Sequence, residues 1–173
     1  MKTTKKILSI LLAVLMLAAT MAVAAVPASA LDATGSCGTN LTYTFNSSTG
    51  ELTITGTGST IRSSAFKNCT EIKSVSIDSS VTSIGDEAFF YCTNLERVSL
   101  PSNLRTIGYM AFYHCDKLED ILIPASVTAI GERAFSICAF KKVMIPSGVA
   151  EMWESSSFVP TVPCPGARYG STE

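Results

Sequence analysis

The sequence predicts an α/β repeat solenoid, in which short strands and short helical turns alternate along the chain and stack coil upon coil. Three observations lead to this fold class. Equivalent cysteines recur at a constant spacing, at Cys69, Cys92, Cys115 and Cys138. Each repeat carries about eight apolar residues at fixed offsets, which are too few to form a core alone, so neighbouring coils must pack together. Within each repeat, apolar and polar residues alternate as they do in a strand.

Residues 1–30 have the three parts of a secretory signal peptide. Three lysines come first, an apolar run occupies residues 7–25, and Ala28-Ser29-Ala30 forms a cleavage-type triplet. We therefore expect cleavage after Ala30 and a secreted, extracellular chain. A retained membrane anchor is the alternative, because an apolar run of this length approaches the ~20 residues that span a bilayer.

The chain that remains after cleavage is mildly acidic. Three lysines leave with the signal, so ten basic side chains stand against all 14 acidic ones, a net charge of −4. Nucleic-acid and anionic-membrane binders need a dense basic patch. The balance therefore argues against a nucleic-acid partner, and no membrane contact is expected once the signal is removed. The chain has one histidine, His114, and this scarcity argues against most metal hydrolases and histidine-based catalytic triads.

Residues 31–60 are predicted to form an N-terminal β-hairpin cap. Apolar residues alternate on either side of a glycine-containing turn, at Leu41, Tyr43 and Phe45 and then at Leu52 and Ile54. Such alternation around a turn is typical of a hairpin. A hairpin at this point would cover the open end of the repeat sheet.

Residues 61–151 contain four repeats, at 61–83, 84–106, 107–129 and 130–151, and the fourth is one residue shorter. Each repeat opens with a segment in which alanine and phenylalanine are adjacent, and we expect a short helical turn there because no β-branched run is present. A strand follows each cysteine. The chain is expected to bend at Gly85, Gly108 and Gly131. Residues 152–173 form a degenerate fifth repeat and a tail.

The second repeat runs Ile84-Gly-Asp-Glu-Ala88-Phe89-Phe-Tyr-Cys92, then Leu95, Val98, Leu100 and Pro101. This pattern resembles the BspA-like leucine-rich repeat family, and the match extends from residue 61 to about 149. The first repeat departs from it, since Arg62 replaces the bend glycine and Asp78 the strand-end proline. The resemblance implies a right-handed leucine-rich-repeat solenoid. It also implies adhesion to host proteins, matrix proteins or other cells.

Four cysteines occupy equivalent positions in the repeats: Cys69, Cys92, Cys115 and Cys138. Stacked strands lie ~4.8 Å apart, and parallel Cβ vectors at that separation exceed the ~3.8 Å that a disulfide needs. We therefore predict a buried ladder of small apolar thiols. Disulfides remain the alternative in a secreted chain. A metal site lacks the usual Cys-x-x-Cys pair or histidine partner. Pairing of Cys37 with Cys164 is left open.

The outward-facing residues are candidate protein contacts. Residues at equivalent positions of successive repeats form a column on the surface. On the strand side, one column alternates in charge and the next becomes apolar. On the helical side, aromatic residues and methionine lie on two neighbouring coils. These residue types are enriched in interfaces. Alternatively, the charges form a self-neutralising ladder and the rings lean onto the core. The candidate contacts are Arg97, Asp120, Leu122, Lys142, Met144, Phe90, Tyr91, Tyr109, Met110 and Tyr113.

The motifs of enzymes are missing from the sequence: there is no phosphate loop, nucleophile elbow, calcium loop or pair of convergent carboxylates. We therefore expect no catalytic, metal or cofactor site. The expected function is a secreted or cell-surface, non-enzymatic, adhesion-type module that binds an extracellular or host protein or glycoprotein. A structural module that pairs end to end with other solenoids is the alternative. A carbohydrate-binding module is a third possibility.

The size of the strand face limits the expected affinity. Four or five short strands present only ~200 to 250 Å² in projection, whereas a standard interface buries ~800 Å² per partner. A single molecule is therefore expected to bind weakly through this face, and multivalent display would strengthen the binding.

Overall fold

The computed structural model describes residues 33–140, 142–144 and 151–152, the last two ranges by their backbone. The predicted signal peptide, its cleavage site, most of the degenerate fifth repeat and Cys164 lie outside the described residues.

The described chain is built from short strands that follow one another at regular intervals. They are β1 (Thr34–Gly38), β2 (Leu41–Asn46), β3 (Glu51–Gly56), β4 (Thr60–Ile61), β5 (Ser74–Ile77), β6 (Ser83–Ile84), β7 (Arg97–Ser99), β8 (Thr106–Ile107), β9 (Asp120–Leu122), β10 (Ala129–Ile130), β11 (Lys142–Met144) and β12 (Glu151–Met152). They form a sheet β1-β2-β3-β5-β7, a second sheet β4-β6-β8-β10-β12 and a pair β9-β11. The predicted repeat solenoid is therefore observed, as a stack of β-coils.

The N-terminal strands continue the sheet of the repeats. β2 and β3 pair antiparallel around the turn at Gly50, as the alternating pattern predicted, and β1 adds a further antiparallel strand. β3 then pairs in parallel with β5, so the hairpin belongs to the same sheet as the repeats. The separate N-terminal cap that the sequence suggested is not observed. The hairpin buries Leu41, Tyr43 and Phe45 against the core of the first repeat.

Equivalent residues of successive repeats lie side by side. Ile61, Ile84, Ile107 and Ile130 are aligned in the second sheet, each one period from the next. Between β9 and β11 the step is one residue shorter, with Asp120 opposite Lys142, because the fourth repeat lacks a residue. The missing residue therefore shortens the loop before β11, and β9 and β11 stay in parallel register.

A column of phenylalanine rings runs through the centre of the stack. Phe66, Phe89, Phe112 and Phe135 are at most 1% exposed. Consecutive ring centroids are separated by 5.2, 5.1 and 5.3 Å, with interplanar angles of 16°, 5° and 1°. The edge of Tyr43 closes the column at 5.1 Å from Phe66. Each ring is thus covered by its neighbours, which a single repeat could not do.

The prediction of short helical turns is wrong, because the residues that the structure describes contain no helix. Residue 87 and its equivalents, and residue 91 and its equivalents, have positive φ angles between 49° and 63°. A left-handed residue at every fourth position interrupts a right-handed helix. In these segments every second backbone N–H donates to a carbonyl oxygen of the next repeat. Glu87 donates to Tyr109 at 2.8 Å, Phe89 to Ala111 at 2.8 Å and Tyr91 to Tyr113 at 2.9 Å.

The repeat glycines are required by close packing between coils. A Cβ on Gly85 would lie 2.6 Å from the Ser63 nitrogen, and one on Gly131 would lie 2.5 Å from the Gly108 carbonyl carbon. Positive φ is found two residues later, at Glu87 and its equivalents, so a bend does not explain the glycines. The first repeat has no repeat before it, and there Arg62 occupies the position.

The phenylalanine column can be tested with the substitution Phe112→Ala. Removing a ring that is covered on both sides should lower the free energy of unfolding by ~3 to 5 kcal/mol. Urea denaturation followed by circular dichroism would measure the change. Leu122→Ala serves as the control: its side chain is 70% exposed, and the loss should stay within ~0.5 kcal/mol. A loss below ~1 kcal/mol for Phe112→Ala would contradict the assignment of this ring to the core.

Candidate interaction surface

The repeat cysteines form a column beside the phenylalanine rings. Cys69, Cys92, Cys115 and Cys138 are all buried, and each is a free thiol in the structure, as is Cys37. Three of the thiols donate to the phenylalanine carbonyl of the preceding repeat: Cys92 to Phe66 at 3.2 Å, Cys115 to Phe89 at 3.4 Å and Cys138 to Phe112 at 3.2 Å. A small side chain with a weak donor therefore suits this column.

Burial makes these thiols poor nucleophiles. It raises the pKa of Cys69 and of Cys37 to about 11 from 9.0. Burial also raises the pKa of Cys92 and of Cys115 well above 9.0. Because the thiolate is the reactive form, these cysteines favour a packing role over a chemical one.

Four rings gather on the outer side of the turn segments, and we call them the ring cluster: Phe90, Tyr91, Tyr113 and His114. Phe90 and Tyr113 stack with centroids 5.3 Å apart and an interplanar angle of 12°. Tyr91 stacks on His114 at 4.3 Å and touches Phe90 at 4.7 Å. The second and third repeats therefore share one continuous aromatic surface, on which Tyr91 is 37% exposed.

Lys67 of the first repeat borders the ring cluster. Its Nζ lies 4.5 Å from the centroid of Phe90 and 2.7 Å from Oε2 of Glu87. The Ser64 hydroxyl also donates to that carboxylate oxygen, at 3.3 Å. A cation over a ring face is attracted to it. Lys67 is thus held in place at the edge of the cluster by a ring and a carboxylate.

His114 and Lys67 were not among the predicted contact residues. The presence of a single histidine argues only against catalysis, yet the His114 ring lies on Tyr91 and its Nδ1 is 2.6 Å from Oδ1 of Asp116. Aligning the repeats on their cysteines places Lys67 with Phe90 and Tyr113, and His114 with Tyr91. That alignment was the signal that could have identified both residues.

Two predicted members of the aromatic patch, Tyr109 and Met110, are not part of the ring cluster. Tyr109 is 40% exposed, and within the described part of the chain no ring contact joins it to the other aromatic residues. Met110 is half-buried and has a φ of 49°, in the same column as Glu87. The structure thus brings together three of the five predicted residues: Phe90, Tyr91 and Tyr113.

On the strand side, Leu122 is the most exposed large apolar residue described, at 70%. β9 pairs with β11, which places Asp120 opposite Lys142 and Leu122 opposite Met144. The guanidinium of Arg97 is 3.8 Å from Glu96, and among the described side chains no ion pair joins Arg97 to Asp120. The predicted charge column is therefore not a continuous ion-pair ladder at this step.

The state of the cysteines can be tested by thiol labelling. A maleimide reagent should modify at least four cysteines per chain in denaturant, because the ladder thiols are free. In the native protein these residues should react far more slowly, since they are buried and protonated. Mass spectrometry of the labelled chain, with a fully reduced sample as the control, gives both numbers. Fewer than four reactive thiols would show that the ladder contains disulfides.

The raised thiol pKa values also predict a pH dependence of stability. In the unfolded chain the Cys69 thiol loses its proton near pH 9, whereas in the folded chain it keeps this proton until about pH 11. The free energy of unfolding should therefore fall as the pH rises through this window. Urea titrations at several pH values would measure the slope. Cys69→Ala removes one of the titrating thiols and should show a shallower fall; an unchanged slope would contradict the assignment.

The described residues contain no group of histidine, cysteine, aspartate or glutamate side chains placed to hold a metal ion. In the same residues, no helix is long and apolar enough to cross a membrane. The buried side-chain nitrogen and oxygen atoms of this part all have hydrogen-bond partners. The exposed rings and the strand side are thus its most distinctive surfaces.

Comparison with solved structures finds several bacterial leucine-rich repeat proteins. A leucine-rich repeat protein of T. pallidum is 33% identical, with a TM-score of 0.54 and coverage of 64% of this chain and 60% of that one. A Bacteroides ovatus protein is 28% identical, with a TM-score of 0.54 and coverage of 66% and 36%. A Eubacterium ventriosum protein, at 24% identity and a TM-score of 0.57, supports the fold, with coverage of 70% and 40%.

This chain therefore matches only part of the length of these relatives. Among curated proteins, none matches the sequence. Residues 41–160 match the BspA type leucine-rich repeat region in six copies, which includes the hairpin strands and extends beyond β12. This match covers more than half of the chain. The protein belongs to the BspA-type leucine-rich repeat family.

Proposed function

We propose that the protein is a secreted or cell-surface module that binds an extracellular protein or glycoprotein and supports adhesion without catalysis. The observation that carries this proposal is the ring cluster. Its rings touch one another across two repeats, with Tyr91 exposed and the other three half-buried. Aromatic residues are enriched in interface cores. The signal-like residues 1–30 support export.

The backbone beneath the ring cluster is well suited to hold a binding surface. Tyr91 and His114 both have positive φ angles, and their N–H groups donate to the next repeat, to Tyr113 at 2.9 Å and to Ser136 at 3.0 Å. Each ring therefore projects from a backbone that is hydrogen-bonded to the neighbouring repeat. A surface that is ordered before binding loses less conformational entropy when the partner arrives.

The cluster also combines apolar and polar contacts. The Tyr91 and Tyr113 hydroxyls can form hydrogen bonds, while their rings bury apolar area. Lys67 and Asp116 add one positive and one negative charge at the border. Ile137, 41% exposed, continues the column of Tyr91 and His114 into the fourth repeat. These features suit a protein or glycoprotein surface of mixed polarity.

A small surface requires more than one copy for useful affinity. The ring cluster occupies two neighbouring repeats, so its area is well below the ~800 Å² per partner of a standard interface. Several copies on one cell or particle would raise the effective concentration at the partner. We therefore expect binding to be clear for a multivalent form and weak for the monomer.

Binding to immobilised extracellular-matrix proteins can test this proposal, with the chain displayed as a streptavidin tetramer and albumin as the negative surface. Tyr91→Ala and Tyr113→Ala should each weaken saturable binding by about tenfold or more, because each removes a ring at the centre of the cluster. Tyr109→Ala is the matched control, since it removes a similarly exposed tyrosine outside the ring cluster. Thermal unfolding would verify that all variants are folded.

Two results would contradict the proposal. One is the absence of saturable binding by the wild-type tetramer to every matrix protein. The other is an equal loss of binding for the Tyr109→Ala control, which would show that the ring cluster is not the contact surface.

A further inference from the structure

We propose that His114 makes the ring cluster responsive to pH, so that the cluster binds carboxylate groups of a partner protein more tightly in mildly acidic solution than at alkaline pH. This inference rests on the proposed function, because it takes the ring cluster as the contact surface. Its evidence is the hydrogen bond of one His114 ring nitrogen, the position of the other nitrogen and the charges at the border of the cluster.

Asp116 determines which ring nitrogen of His114 carries the proton in the neutral form. The Nδ1 atom lies 2.6 Å from Oδ1 of Asp116. An ionised carboxylate can only accept a hydrogen bond, so Nδ1 must be the donor. A neutral imidazole has one N–H group, and Nε2 is then left with a lone pair. The proton that His114 gains in acid therefore goes to Nε2.

The Nε2 atom of His114 is accessible to a partner. Within the described part of the chain, the hydrogen bond to Asp116 is the one recorded for this ring. All buried side-chain nitrogen and oxygen atoms of that part have partners, so Nε2 is not buried. Histidine changes its charge between about pH 5 and pH 8. In that range Nε2 changes from a hydrogen-bond acceptor to a charged donor.

Two tyrosines surround the ring of His114. Tyr91 stacks on it at 4.3 Å with an interplanar angle of 29°, and Tyr113 meets it edge-on at 5.8 Å. A cation over an aromatic face is attracted to it, and a hydrogen bond between two charged groups is stronger than a neutral one. Protonation therefore strengthens both the stack on Tyr91 and the bond to Asp116. The cluster is then better ordered before a partner binds.

The charged groups near His114 are few. Asp116 lies on the same turn segment, and the equivalent residue of the following repeat is Ile137, which has no charge. At the opposite border, the Lys67 ammonium is compensated by Glu87 at 2.7 Å. These residues therefore carry one net negative charge, that of Asp116, while His114 is neutral. Protonation of His114 removes this net charge.

A carboxylate is the partner group that gains most from this change. At alkaline pH it would meet the lone pair of Nε2 and the uncompensated charge of Asp116, and both oppose its approach. In mildly acidic solution it would meet an N–H donor and a border without net charge. Charge-assisted hydrogen bonds of this kind are short and strong. A partner ammonium group would show the opposite pH dependence.

The protonation of the His114 ring can be tested by nuclear magnetic resonance on the full chain. His114 is the single histidine, so its ring nitrogens are identified without ambiguity. At about pH 8 the proton should be on Nδ1, and at about pH 5.5 both nitrogens should carry protons. The ring signals of Tyr91 should change in parallel. A proton on Nε2 instead of Nδ1 at about pH 8 would overturn the proposal.

Carboxylate binding is tested with a surface coated with the peptide acetyl-Gly-Phe-Glu-Gly-Phe-Glu-Gly, to which the chain is applied as a streptavidin tetramer. Binding should be at least about tenfold tighter at about pH 5.5, where the glutamates are still mostly ionised, than at about pH 8. The same peptide with glutamine in place of glutamate is the control. Its affinity should change less than about threefold, because an amide gains no charge-assisted bond.

The column of His114 supplies matched variants. Asn68, Tyr91, His114 and Ile137 are equivalent residues of the four repeats, with φ angles between 57° and 63°. His114→Tyr keeps an aromatic ring on this backbone but removes the titrating nitrogen, and it should bind the glutamate peptide equally at both pH values. His114→Asn introduces the residue type of the first repeat and should behave in the same way. Thermal unfolding would verify that both variants are folded.

Several binding results would overturn the proposal. They are absent binding to the glutamate peptide at about pH 5.5, equal or tighter binding at about pH 8, and a pH dependence that persists in His114→Tyr. These measurements use no matrix protein. A failed matrix screen beside a pH-dependent glutamate surface would therefore contradict the adhesion proposal alone. Matrix binding that depends on Tyr91, beside a glutamate surface without pH dependence, would contradict this inference alone.

Discussion

The structure depends on the stacking of identical side chains one repeat apart. Each phenylalanine from Phe66 to Phe135 is covered by the rings next to it in the column, at spacings near 5 Å. A ring displaced by one residue would leave this column, so the constant spacing of the phenylalanines along the chain is a packing requirement. The steps from β9 to β11 and from β10 to β12 are one residue shorter, because one residue is missing beyond the last ring of the column, and both strand pairs stay in parallel register.

The same stacking determines the surface. With the coils in register, the N–H groups of the turn segments reach the carbonyl groups of the next repeat and bond to them. Those bonds offset the cost of holding side-chain-bearing residues such as Glu87 and Tyr91 in the left-handed region. The rings that follow this backbone are therefore ordered by the stack beneath them. The buried cysteines reinforce it, because three of their thiols bond to the preceding repeat.

The ring cluster is built from two neighbouring repeats, since it lies on the turn segments of the second and third. A repeat protein can vary its exposed positions while its core positions stay constant. Neighbouring repeats can therefore combine their outward side chains into one surface without any change in the core.

Most of the fold could be predicted from the sequence. The period, the buried columns, the hairpin strands around Gly50 and the position of the cysteines follow from apolar residues at fixed offsets, because burial selects residue type directly. The resemblance of the repeats identified the family. Part of the candidate surface was also predictable, since Phe90, Tyr91 and Tyr113 occupy outward positions of adjacent repeats.

Other features were decided only by the tertiary structure. The turn segments look helical in sequence, but their N–H groups bond to the next repeat, and local pattern carries no information about such partners. The glycines are needed because another coil approaches them, as at Gly131. The contact of His114 with Tyr91 likewise arises between repeats. Sequence alone thus determined what is buried, and the stacking of the coils decided which backbone groups and surface side chains meet.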